Sequence, residues 1–217
     1  MKYSVDTLIF DFDGVLVDTG PDVANAVNFT LQSFGLAAQP PETIIRRIGG
    51  GAEVLMRRCL AERSDELINQ ALPVFNQRYA EYCCVETHLY PGVKTVLNHY
   101  QAARKHMAIA TQKIEMITQT ILKSLGIAPY FEVVVGPETV THRKPHPESV
   151  LRILEKVGTP PERAIMIGDM VSDIQTGKAA GTLTCGVFYG YGAEDDIRAA
   201  LPDVALENLT QMLDWIL

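Results

Sequence analysis

The chain has few cysteines, no excess of basic charge and no long apolar segment. Its four cysteines among 217 residues include no C-x-x-C pair, which argues against a disulfide framework or a zinc site and favours reduced, mostly buried thiols. The five histidines are scattered along the chain and show no metal-ligand spacing. A net charge of −7 provides no general attraction to nucleic acid or to an anionic membrane. An anionic ligand would therefore need a locally basic site.

Apolar runs extend over only a few residues, too short for a transmembrane span. The first six residues contain no apolar stretch of signal-peptide length. We therefore expect a cytoplasmic protein with neither nucleic-acid nor membrane partners, acting as a monomer or a homodimer.

Five short segments have the nearly continuous apolar character of strands that are covered on both faces of a parallel sheet. They are residues 7–12, 107–111, 132–135, 164–167 and 183–188. Helical patterns lie over 92–104, 114–125, 147–157 and 172–180, with Pro147 at one predicted helix start and Gly158 and Gly181 just past two helix ends. This alternation predicts an α/β fold with a doubly wound, Rossmann-like parallel sheet.

Residues 15–88 break the alternation, because they carry helical periodicity without a convincing strand. The chain returns to the strand-and-helix pattern at Tyr90-Pro91-Gly92. We therefore predict a small all-helical cap at 15–88, inserted after the first strand. Residues 1–14 and 89–217 would form the catalytic α/β core.

Polar residues follow the predicted strands at the point where each strand ends. They are Asp11 and Asp13 after the first strand, Thr111 and Gln112 after the second, Lys144 after the third, and Asp169 with Asp173 after the fourth. In an open parallel sheet, ligands bind beyond the carboxyl ends of the strands. We therefore expect these side chains to converge on one edge of the sheet.

The predicted cluster contains four carboxylates. Two unit charges about 4 Å apart repel by roughly 4 kcal/mol at an effective dielectric constant near 20, so the cluster must take up protons or bind a cation. Oxygen ligands with room for water favour Mg²⁺. Lys144 and Thr111 then supply a positive charge and a hydroxyl donor for a bound anion, a combination suited to phosphoryl transfer.

The segment from Asp11 to Thr19, DFDGVLVDT, resembles the first motif of the haloacid dehalogenase-like phosphatases. Thr111, Lys144 and the Gly168-Asp169-x-x-x-Asp173 run resemble the second, third and fourth motifs, in order and at strand ends. Residues 16–23, LVDTGPDV, are similar to the phosphoglycolate phosphatase branch, as are residues 144–147 and 190–192. Gln112 departs from the pattern, because Asn more often follows the threonine.

The resemblance implies a Mg²⁺-dependent phosphatase in which Asp11 attacks phosphorus and forms an aspartyl-phosphate. Asp13 would protonate the leaving alcohol and then activate water. Asp11, the backbone carbonyl of Asp13, and Asp169 would hold Mg²⁺. Thr111 and Lys144 would bind the transferring phosphoryl oxygens.

Several supporting roles follow from the same resemblance. The Gly14 amide and Gln112 would add contacts to the phosphate, and Asp173 would orient Lys144 or the water shell of the metal. Asp18 has two open interpretations, a helix cap or a support for catalysis.

The resemblance also implies a small anionic phosphate ester as substrate, with 2-phosphoglycolate as the best single choice. Arg46 and Arg47, followed by three glycines, are the most plausible feature of the cap for gripping a carboxylate. A pyrophosphatase and a β-phosphoglucomutase-like phosphomutase are the alternatives, although Pro21-Asp22 argues against the mutase. A non-catalytic binding or regulatory protein of the same fold is a remoter alternative, and it would predict the decay of at least one motif.

Overall fold

The computed structural model describes residues 2–60 and 64–217. The chain divides into two compact units, Met1–Val17 together with Leu89–Leu217, and Asp18–His88. Residues 61–63 of the predicted helical segment lie outside the described residues.

The strands are β1 (Thr7–Phe10), β2 (Val17–Asp18), β3 (His88–Leu89), β4 (His106–Ala110), β5 (Val133–Val135), β6 (Ala164–Gly168), β7 (Leu183–Val187) and β8 (Val204–Leu206). Six of them form one sheet in the order β5-β4-β1-β6-β7-β8, and every pairing in it is parallel. Each residue of β1 is buried, as expected for a strand covered on both faces. The predicted α/β fold with a doubly wound parallel sheet is confirmed.

The helices are α1 (Gly20–Ser33), α2 (Pro41–Ile45), α3 (Ala52–Cys59), α4 (Asp65–Tyr82), α5 (Val93–Ala102), α6 (Glu115–Ser124), α7 (Glu148–Val157), α8 (Val171–Ala180), α9 (Glu194–Ala199) and α10 (Met212–Trp215). The four helices predicted between strands all form, with ends within two residues of those predicted. Gly158 and Gly181 close α7 and α8 in the left-handed conformation, as helix-ending glycines do. Pro147 lies one residue before α7, whereas the sequence placed it inside the helix.

The unit Asp18–His88 is built from α1 to α4. Its return segment is tied to α1 by the buried Asp22 carboxylate, which accepts hydrogen bonds from the backbone amides of Val85, Glu86 and Thr87. The segment 15–88 is not wholly free of strands, because β2 and β3 pair with each other where the chain passes between the two units. Two-residue strands carry too little periodicity to be predicted.

In the part of the chain that the structure describes, no helix has the length and apolar character needed to cross a membrane.

Candidate active site

Three neighbouring strands bring the predicted polar residues to one edge of the sheet. β4, β1 and β6 lie side by side, and in register Phe10 pairs with Ile109 on one side and Ile167 on the other. Asp11 follows β1 directly, and its backbone amide continues the ladder by donating to the Ile167 carbonyl at 2.8 Å. Thr111 and Asp169 directly follow β4 and β6. The ends of three neighbouring strands therefore place the starts of the first, second and fourth motifs side by side.

Lys144 connects two of the carboxylates. Its Nζ lies 3.1 Å from Asp11 Oδ1 and 2.6 Å from Asp173 Oδ1, and it donates to the Ala110 carbonyl at 3.0 Å. These contacts use the three donors of the ammonium, and only 3% of the side chain is exposed. Burial opposes the charge, but the nearby Asp11 and Asp173 carboxylates outweigh it and raise the pKa of Lys144 above its ordinary value. The ion pairs therefore favour the charged form of Lys144 next to Asp11.

Asp173 holds Lys144 from the first turn of α8. Its Oδ2 accepts the Met170 amide at 3.0 Å, which fixes the carboxylate at the helix start. Its Oδ1 is the 2.6 Å partner of Lys144. The geometry fits the predicted orienting role toward Lys144.

The loop that carries Lys144 is closed by Glu148, which accepts hydrogen bonds from the backbone amides of Thr141 and His142. These hydrogen bonds lower the pKa of Glu148 to about 2. One ring nitrogen each of His142 and His146 and one carboxylate oxygen of Glu148 lie within 4.8 Å of one another. The spacing of the histidines in the sequence did not predict this grouping. Glu148 is also held by Arg152 at 2.9 Å, so its carboxylate is engaged in positioning the loop.

Asp169 is fully buried, and its two oxygens differ in their partners. Oδ2 accepts the Tyr191 amide at 2.7 Å, whereas Oδ1 has no hydrogen-bond partner among the described residues. Burial, together with the Asp11 and Asp173 carboxylates, raises the pKa of Asp169 well above its usual range. A buried carboxylate oxygen without a partner is costly unless a cation or a proton satisfies it.

Two glycines allow backbone to approach Asp169 closely. Gly14 has a φ of +82°, and a Cβ there would overlap the Asp169 carboxylate. A Cβ on Gly190 would overlap the same carboxylate. Glycine at positions 14 and 190 therefore leaves room for the Asp169 carboxylate.

Asp11, Asp169 and Asp173 form a buried group, and one carboxylate oxygen of each lies within 4.8 Å of one oxygen of the other two. Burial is the largest cause that raises the pKa of Asp11 to about 7, and Lys144 opposes the rise. The three carboxylates, of which Asp169 has one unpartnered oxygen, form an all-oxygen donor set that suits a hard divalent cation. The donor set therefore fits the predicted metal, with Asp11 and Asp169 as side-chain ligands.

Asp13 has a partner that the sequence did not identify. Lys113 Nζ lies 3.1 Å from Asp13 Oδ1, and only 8% of the lysine side chain and 18% of the aspartate side chain are exposed. The sequence did indicate that Lys113 could lie near the site, because it stands two residues after Thr111 at the same strand end. The sequence contains no cue to the direction of a long lysine side chain.

Three further residues were predicted to contact the phosphate, namely Thr111, Gln112 and Gly14. Thr111 is buried, and its hydroxyl accepts the Lys113 amide at 3.1 Å. Gln112 is partly buried beside it. The Gly14 amide donates to the Val17 carbonyl at 3.0 Å, so in this structure it serves the turn that follows Asp11.

Asp18, Arg46 and Arg47 lie in the helical unit. Asp18 Oδ1 accepts the Gly20 amide at 3.0 Å in an Asx turn just before α1, whereas the N-cap residue of the helix is Thr19. Arg46 is exposed, and Arg47 donates to Gln39 Oε1 at 2.7 Å within the same unit.

Comparison with known proteins identifies one family. Residues 8–187 match the family model described as haloacid dehalogenase-like hydrolase. A phosphoglycolate phosphatase from Colwellia psychrerythraea is 35% identical over 215 residues, covering 96% of this chain and 95% of the relative. Another from Aquifex aeolicus is 33% identical, covering 95% and 96%. The crystal structure of a predicted phosphoglycolate phosphatase from Haemophilus somnus aligns with a TM-score of 0.90 at 28% identity, covering 97% of each chain.

Proposed function

This chain belongs to the haloacid dehalogenase-like hydrolase family, and from that premise we propose that it is a Mg²⁺-dependent phosphatase acting through an aspartyl-phosphate on Asp11. The proposed substrate is a small phosphate monoester, with 2-phosphoglycolate first, because the relatives from Colwellia psychrerythraea and Aquifex aeolicus are named for it. One observation supports the chemistry most strongly. Asp11 lies in a buried carboxylate cluster and also touches the ammonium of Lys144.

In the first step, an Asp11 carboxylate oxygen attacks phosphorus, and the bond from phosphorus to the ester oxygen breaks. Lys144 exchanges its contact with Asp11 for the phosphoryl oxygens and, together with Thr111 and Gln112, binds them and stabilises their charge. Asp13 gives its proton to the departing alkoxide, which leaves as an alcohol.

In the second step, Asp13 removes a proton from water, and the water oxygen attacks phosphorus. The bond from phosphorus to Asp11 breaks, which releases inorganic phosphate and restores the Asp11 carboxylate. Asp173 keeps the ammonium of Lys144 in place through both steps. A group that alternates between acid and base must lie beside the reacting oxygen, and Asp13 follows Asp11 by two residues at the same strand end.

Mg²⁺ would be held by Asp11, Asp169 and the backbone carbonyl of Asp13, and when bound it supplies Lewis-acid charge to the phosphoryl group. The partnerless Asp169 Oδ1 supports this assignment. The Gly14 turn and the Tyr191 amide hold the Asp169 carboxylate in position.

We assign residues 1–14 and 89–217 to the catalytic core, and 15–88 to a helical cap. Arg46 and Arg47 are the candidates that the sequence offers for binding the anionic end of the substrate, and Asp18 is assigned to the turn before α1. A cytoplasmic location and a monomeric or homodimeric state stay predictions.

A panel of phosphate monoesters, sugar phosphates and pyrophosphate, assayed with Mg²⁺ and with excess chelator, tests the proposal. We expect 2-phosphoglycolate to have the highest kcat/KM, and we expect chelation to abolish the activity. Turnover of pyrophosphate above that of every monoester, or isomerisation of a sugar phosphate, would support one of the alternative enzymes. Full activity in chelator would contradict the metal assignment.

A further inference from the structure

Lys113 is a second buried cation of the site, and it lies beside Asp13. Its Nζ is 3.1 Å from Asp13 Oδ1, and 8% of its side chain is exposed. Its backbone amide donates to the Thr111 hydroxyl at 3.1 Å, so the turn after β4 fixes the position from which the side chain extends.

The two lysines of the site have different surroundings. Lys144 lies between Asp11 and Asp173 and also donates to the Ala110 carbonyl, which commits its three donors at the phosphoryl end of the site. Lys113 faces Asp13, the residue proposed to protonate the leaving oxygen. Lys113 therefore lies at the leaving-group end.

The leaving group of 2-phosphoglycolate carries a carboxylate. A single methylene carbon separates that carboxylate from the ester oxygen that receives the proton. A group within hydrogen-bond distance of Asp13 is thus placed for contact with the substrate carboxylate. An ammonium has three donors, so it can bind the substrate carboxylate and Asp13 together.

We infer that Lys113 is the core residue that binds the carboxylate of the substrate and so selects esters with an anionic group next to the ester oxygen. The inference rests on the proposed phosphatase function. It locates carboxylate recognition in the core, whereas the sequence assigned it to Arg46 or Arg47. Arg46 is exposed and Arg47 is hydrogen-bonded to Gln39, whereas the Lys113 ammonium is shielded from solvent, so its charge is less screened by water and salt.

The test compares two substrates that differ only in the group recognised. Ethyl phosphate has the chain length of 2-phosphoglycolate but a methyl group in place of the carboxylate. Values of kcat/KM for both are measured on the full-length Mg²⁺-loaded wild type and on Lys113→Met, Lys113→Arg and the control Lys123→Met. Lys123 is exposed in the last turn of α6. The ratio of the two values cancels any effect of Lys113 on Asp13 that both substrates share.

In Lys113→Met we expect this ratio to fall by roughly 10- to 150-fold, the loss of a hydrogen bond to a charged group. Lys113→Arg should lose less, because it retains the charge, and Lys123→Met should retain the wild-type ratio. A fall of less than about tenfold in Lys113→Met, in protein with a wild-type circular dichroism spectrum, would overturn the inference.

Two outcomes with the wild type separate this inference from the proposed function. If the wild type hydrolyses both esters without preferring 2-phosphoglycolate, the carboxylate inference fails and the phosphatase stands. If it hydrolyses neither ester nor any other monoester, both fail.

Discussion

Asp169→Asn should stabilise the metal-free protein while it removes metal binding and activity. The Asp169 carboxylate is fully buried, and one of its oxygens has no partner among the described residues. One of its oxygens lies within 4.8 Å of a carboxylate oxygen of Asp11 and of Asp173. A pair of unit charges 4.8 Å apart repels by roughly 3.5 kcal/mol at an effective dielectric constant near 20. Lys144 and bound protons offset part of this repulsion. We therefore expect the substitution to raise the free energy of unfolding by about 1–3 kcal/mol in chelator.

The gain in the free energy of unfolding of Asp169→Asn should depend on pH. The pKa of Asp169 in the folded protein lies well above its usual value, so the folded form retains a proton that the unfolded form releases. The free energy of unfolding of the wild type should therefore fall as the pH rises above about 4. Asp169→Asn has no carboxyl group at this position, so it should lack the decrease that Asp169 causes. The difference between the two proteins should be small near that pH and should grow toward neutral and mildly basic pH.

Thermal unfolding at mildly basic pH measures the effect. For a chain of this size, 1 kcal/mol corresponds to roughly 2–4 °C in Tm, so Asp169→Asn should unfold about 2–12 °C higher than the wild type in chelator. Mg²⁺ should raise the Tm of the wild type and leave that of the variant unchanged. Asp195→Asn, at an exposed position of α9, serves as the matched control. A variant less stable than the wild type in chelator, or equally stabilised by Mg²⁺, would refute the reasoning.

Three further predictions concern catalysis. Asp11→Asn should abolish turnover with the fold intact, because the amide is no useful nucleophile; more than a few percent of the wild-type kcat would exclude Asp11 from that role. Asp13→Ala should slow phosphoenzyme formation from ethyl phosphate by about 10²–10⁴-fold in rapid-quench experiments, and much less from p-nitrophenyl phosphate, whose leaving group needs no proton. Equal losses would assign Asp13 a different role. Mg²⁺ should bind more tightly as the pH rises toward 7 in calorimetric titrations, because Asp11, with a pKa of about 7, must lose its proton; an affinity independent of pH would argue against Asp11 as a ligand.

The edge of the sheet that carries the candidate site could be predicted from the sequence because its residues are adjacent to strands. Asp11, Thr111 and Asp169 each follow a buried strand directly, and the carboxyl ends of parallel strands meet at one edge. Lys144 was predictable as a cation of this edge, since its loop follows the end of β5. The roles of all these residues are still predictions.

Other features depend on where side chains and distant segments pack. The Lys113–Asp13 contact depends on the direction of a flexible side chain, and the Tyr191 amide reaches Asp169 from a turn 22 residues away. The strand β8 consists of Val204, Ala205 and Leu206 at the edge of the sheet, and an apolar run of three residues with a single β-branched residue is too short to indicate a strand. The local sequence pattern determines neither these two contacts nor this edge strand.

Covalent trapping tests the central claim most directly. The Mg²⁺-loaded wild type is mixed with radiolabelled 2-phosphoglycolate, quenched in acid within one turnover and reduced with borohydride, which converts an aspartyl-phosphate to homoserine. Peptide mass spectrometry then locates the reduced residue. The account predicts homoserine at position 11 and at no other aspartate. Homoserine at another position, or turnover without any acid-stable phosphoenzyme, would contradict it.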